Sequence, residues 1–236
     1  MALPVETELD TISIVLIGAF NPAIFHPLWF AAQEMLSRED AEAAEVAVIH
    51  KDLTQFQARQ VKISVEHQRF VATCAAIHRN IVRDLVLSCF GRVLVHTPLG
   101  LMGINRELHF NCGSERNRSA FGFAIAPLEP WGKWGEEIAK NVKEDKRRGG
   151  MMRIQIREEP RPDKFTGYVQ VEVQPSALIR NMSGIWVQTN DHFQFENNEE
   201  HPAQEAMETL ETVWESANAK AESIIEDIML RATGKK

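Results

Sequence analysis

The chain predicts an α+β fold that is mainly antiparallel sheet, and three observations carry that expectation. Stretches in the first third and again between Met152 and Phe195 are β-branched or alternate apolar with polar residues. After Ala76 that alternation gives way to a helical period in the middle of the chain. The chain then closes on an apolar stripe at spacings of three and four.

Thr11 to Phe20, TISIVLIGAF, reads as a buried strand ended by Asn21-Pro22, where asparagine suits a helix cap. The main helix that follows begins near Pro27. The Ala-rich acidic segment after Ser37 adds a helical turn or two and runs into a short edge strand at Val46 to Ile49. Val61, Ile63 and Val65 alternate with Lys62, Ser64 and Glu66, which predicts a half-buried strand. His67-Gln68 falls at a hairpin turn, with Arg69 to Ala75 as the partner strand.

From Ala76 two adjacent rows appear, Ile77, Ile81 and Leu85 beside Val82, Val86, Cys89 and Val93. They predict a central helix packed on the sheet and stopped at Thr97-Pro98. Ile104 to Phe110 reads as a strand, with Arg106 at a position whose parity asks for an apolar side chain. A buried arginine needs an acceptor, and Asp84 on the preceding helix is the expected partner. Ala120 to Ala126, AFGFAIA, reads as a further strand, and an amphipathic helix starts near Pro130.

Lys140 to Gly150 is the most polar connector and marks the expected division into an N-terminal half, 1–145, and a C-terminal half, 146–236, packed together as one unit. Three alternating strands follow, within 152–158, 167–174 and 184–195, with Asn190-Asp191 suggesting a bulge or turn inside the third. Met207, Leu210, Trp214, Ala217, Ala221, Ile224 and Ile228 then mark a helix of more than twenty residues that covers the sheet. The two halves differ in element order and share no motif, which argues against an internal duplication.

A net charge of −7 gives no global case for nucleic-acid binding. No segment is long and apolar enough to span a bilayer, so no membrane partner is expected. Three cysteines without a CxxC pair and a start without a basic flank predict a cytoplasmic setting. None of the eight histidines sits in an HxxxH or HExxH pattern, and no glycine-rich phosphate loop is present, so neither metal nor cofactor is expected.

Three functional readings follow. The first is a non-enzymatic binding or assembly subunit, self-associating or docked on a protein partner, with Trp214, Ala217, Ala221 and Ile224 as its interface. The second is an enzyme acting on a small anionic substrate, its pocket formed by Arg106, His96 and His109 with Asp84 nearby. The third is a nucleic-acid surface on the basic run Lys146, Arg147 and Arg148, beside Trp131 and Trp134.

Overall fold

The computed structural model describes residues 7–144, 149–196 and 202–234. In chain order these are strand β1 (Thr7–Gly18), helices α1 (Pro27–Ala32) and α2 (Arg38–Glu42), strands β2 (Glu45–Ile49), β3 (Leu53–Ala58), β4 (Val61–Glu66) and β5 (Arg69–Ala75), and helix α3 (Arg79–Ser88). Then come β6 (Leu99–Asn111), α4 (Glu115–Ile125), α5 (Gly132–Lys143), β7 (Ile154–Glu158), β8 (Gly167–Pro175), β9 (Gly184–Gln194) and α6 (Gln204–Thr233). All nine strands form one antiparallel sheet in the order β2-β3-β4-β5-β1-β6-β9-β8-β7.

That order contains a repeat. β1 lies at the centre, the chain crosses through α1 and α2 to the far edge, β2 to β5 step back until β5 pairs with β1, and α3 follows. β6 repeats the course on the other side: α4 and α5 lead to the opposite edge, β7 to β9 return until β9 pairs with β6, and α6 follows. The expectation of no duplication is therefore corrected at the level of topology. The order of elements along short windows hides the repeat, and only strand pairing reveals that β1 and β6 begin equivalent units. The connector at 140–150 lies inside the second unit, and the repeat divides at the turn before β6.

One face of the sheet carries the core. Ile12, Ile14 and Leu16 of β1, Ile63 and Val65 of β4, Phe70 and Ala72 of β5 and Val187 of β9 are buried beneath the helices. Phe25 and Phe30 bring α1 onto this face against Phe56, Phe70 and Phe90, with Phe70 and Phe90 edge-to-face at 5.0 Å. The core forms two clusters, one under α3 and the first half of α6, the other under α4 and the second half of α6. Trp214 of α6 is 1% exposed and donates its indole N–H to Asn80 Oδ1 of α3 at 3.0 Å, pinning the two covering helices together.

Several local expectations are corrected. Ala120 to Ala126 is the second half of helix α4: Ser114 caps it by accepting from the Asn117 N–H at 3.1 Å. A short apolar run does not separate strand from helix. β3, with Phe56 buried and Gln57 exposed, was not anticipated at all. β6 starts at Leu99, so Gly100 and Gly103 lie within the strand. β9 pairs without interruption from Gly184 to Gln194, so Asn190-Asp191 makes no bulge. The central helix ends in a π turn, Cys89–Val93, closed by the Leu94 N–H on Cys89 O at 2.7 Å.

Candidate functional site

Strand alternation sends every second side chain to the sheet's other face, and among the described residues no helix covers that face. The registers place one residue from each strand in a continuous row across it. Arg157 faces Gln170, which faces Asn190, and Asn190 faces Asn105. Asn105 faces Ser13, then come Thr73, Lys62 and Gln57, and Glu45 ends the row on β2. Nine strands thus contribute nine polar side chains with no apolar residue among them.

The centre of the row is unusual for a sheet. Asparagine is disfavoured in strands, yet two sit opposite each other on the central strands β6 and β9. Their amides lie over Gly103, where a Cβ would meet Asn190 Oδ1 at 3.2 Å and Asn105 Nδ2 at 3.3 Å. Asn190 Oδ1 is buried and has no hydrogen-bond partner, a situation that costs about 1–3 kcal/mol where no water or ligand answers it.

Beside the amides, two rings and a cation lie against one another. The Arg157 guanidinium lies 3.9 Å from the Tyr168 ring centre and donates to Gln170 Oε1 at 2.8 and 3.1 Å. Tyr168 lies 4.3 Å from His192 across the β8–β9 pair. Burial, chiefly, lowers the His192 pKa, and the charges of Arg157 and Arg161 push it further the same way. The ring is therefore a neutral stacking partner at neutral pH. Arg153 bridges to Glu172 at 2.6 Å on this same face.

At the end of the face, His109 contacts Ser176 Oγ through Nδ1 at 2.8 Å and Glu107 Oε1 through Nε2 at 3.3 Å. The residue types suggest a nucleophile, base and carboxylate. The hydroxyl is already saturated, however: Ser176 Oγ also accepts the N–H groups of Leu178 and Ile179 at 3.1 and 3.2 Å. A hydroxyl has one hydrogen and two lone pairs, so all of its capacity is used in tying the loop after β8 to β6. His109 is 5% exposed. This cluster anchors a loop.

The residues singled out for chemistry do not converge. Arg106 points to the helix face, opposite to His109, and its partner is Asp10, gripped through Nε at 3.0 Å and a terminal nitrogen at 2.9 Å. The expected Asp84–Arg106 pair is thus corrected. Asp84 sits on the exposed side of α3 and pairs with the neighbouring Arg83 at 2.7 Å. His96 is exposed before β6 begins, a full strand length from His109. Under α6 the Arg106–Asp10 pair continues into a polar seam between the two core clusters, where buried Arg161 pairs with Asp191 and Asp163 and buried Asn218 donates to Trp214 O.

Of the helix residues expected to form an interface, Trp214 and Ala217 are buried on the chain's own sheet, and Ala221 and Ile224 are half-buried beside them. Lys146, Arg147 and Arg148 lie outside the described residues. No group of three or more His, Cys, Asp or Glu residues that could hold a metal occurs among the described residues, nor is any described helix long and apolar enough to cross a membrane. Sequence alternation placed Gln170 in a strand with a wet face, but Ser13 lay in a run read as buried and Asn190 at an expected bulge or turn, and only the registers align the three. The chain matches no family model, and no curated protein resembles it at a significant level.

Proposed function

We propose that this chain is a non-enzymatic binding protein whose recognition surface is the helix-free face of the sheet. The observation that carries the reading is the facing pair Asn105 and Asn190, short amides set over Gly103 with a buried oxygen lacking a partner. A face selected only for contact with water gains nothing from residues that disfavour strands. Departures from local preference concentrate where a site is maintained.

Charge narrows the ligand. Lys62, Arg69, Arg153 and Arg157 are matched on this face by Glu45, Glu66, Glu107 and Glu172, so the surface is electrically balanced. Nucleic-acid binding draws most of its affinity from phosphate neutralisation, and this face offers no excess of cations for it. A neutral polar surface with amides and stacked rings suits a protein partner, in keeping with an assembly role. Neither Arg106 nor His96 contributes to the same face as His109, so the enzyme reading gains no support from geometry.

A photo-crosslinking amino acid placed at Ser13 in the native cell tests the reading. A discrete adduct from Ser13, absent when the same group replaces the exposed Asp227 of α6, is expected. Adducts of equal yield from both positions, or none from Ser13, would overturn it. The double variant Asn105→Val/Asn190→Val should abolish the Ser13 adduct while keeping the fold.

A further inference from the structure

Helix α5 is the least integrated element of the molecule. Trp131 just before it and Trp134, Ile138 and Val142 within it recur at helical spacing, yet both tryptophans are about 60% exposed, edge-to-face on each other at 5.7 Å. Between α5 and α4 lies a groove of about 720 Å³, within the roughly 300–1,000 Å³ that small-molecule sites occupy. Ala120 and Phe123 of α4 form one wall, and Ala139 and Val142 of α5 form the other. Among the described residues, Arg116, Arg118 and Lys143 stand beside these apolar side chains with one carboxylate, Glu115, which pairs with Arg118 at 3.8 Å.

From this lining we infer that the α4–α5 groove binds a single-chain amphiphile with a carboxylate head, of the fatty-acid class. The apolar walls take the chain, since burying each methylene contributes about 0.8 kcal/mol. The cations take the head: an arginine fork matches a carboxylate in two parallel hydrogen bonds, and Lys143 adds a point charge from the facing helix. One negative charge fits this rim better than two, because Glu115 already occupies part of it. The site is independent of the sheet face, on which neither α4 nor α5 lies.

Titration calorimetry of the full chain with sodium dodecanoate below its micellar range tests the inference, with dodecyltrimethylammonium as the opposite-charge control. Saturable 1:1 binding of dodecanoate and at least tenfold weaker binding of the ammonium are expected. Arg116→Gln/Lys143→Gln should weaken dodecanoate at least tenfold, and Ala139→Trp should block it by filling the groove. All three positions are exposed, so the variants keep the fold, which circular dichroism checks. Equal affinity for the two amphiphiles, affinity unchanged in both variants, or no saturable binding would each overturn the assignment. Binding that persists in the Asn105→Val/Asn190→Val protein separates this site from the sheet face.

Discussion

The two hydrogen bonds from Arg106 to Asp10 make each residue the other's reason for being there. Burial works against the Arg106 charge, but Asp10 outweighs it and, with the charge of Glu222, raises the Arg106 pKa. Removing one partner strands the other, so Asp10→Ala should destabilise the protein by about 3 kcal/mol in urea unfolding. The double change Asp10→Leu/Arg106→Met should recover most of that loss, because an apolar pair leaves no uncompensated charge. His192 gives a pH signature. Its folded pKa is lowered, so the unfolded chain takes up the proton first as pH falls through about 6.5. Stability attributable to His192 is present above that pH and is lost as pH falls below it, and His192→Gln should flatten this slope. The thiols of Cys74 and Cys112 are each pushed up to about 11 by burial. All three cysteines are buried and free, so a thiol reagent at pH 8 should find them only after denaturation. Sequence parity exposed Arg106 as anomalous; it could not supply Asp10, which lies 96 positions away and becomes a neighbour only through the β1–β6 register.

Among the helices, α6 was the most legible and α4 the least. The α6 stripe repeats often enough for its period to be unambiguous, whereas AFGFAIA is too short for a period and lacks any polar residue to set a phase. That same stripe was ambiguous in another respect, because spacing states that a face is apolar without stating what covers it. The sheet covers it here, which changes the meaning of a substitution. Ala217 is 5% exposed, so Ala217→Glu should unfold the protein or lower its Tm sharply, with no simple shift from dimer to monomer in light scattering. Trp214→Ala should cost about 3–5 kcal/mol, because it opens a cavity and leaves Asn80 without its donor. On the sheet's other face the sign reverses. Asn105→Val and Asn190→Val put β-favouring side chains on central strands, worth up to about 1 kcal/mol each, and the doubly substituted protein should melt several degrees higher while losing the crosslinked partner.

At the scale of the molecule, the repeat divides the chain into two units but not into two domains. The first core cluster takes Ala206, Met207, Leu210, Val213 and Trp214 from α6, which belongs to the second unit. Residues 1–97 alone should therefore fail to give a cooperative thermal transition, while the intact chain shows a single one by calorimetry. Strand existence was readable from alternation, but strand order was not, since partners such as β1 and β6 are distant in sequence and any apolar strand can pair with any other. The unbroken nine-stranded sheet also constrains the shape of whatever it meets. Neighbouring strands rotate by roughly 20° in one sense, and eight such steps accumulate to roughly 160°. Arg157 and Glu45 therefore stand at opposite ends of one polar row while facing different directions in space. A straight, rigid ligand reaches only the middle of that row around Asn105 and Asn190, and engagement of both ends requires a partner that curves along the saddle.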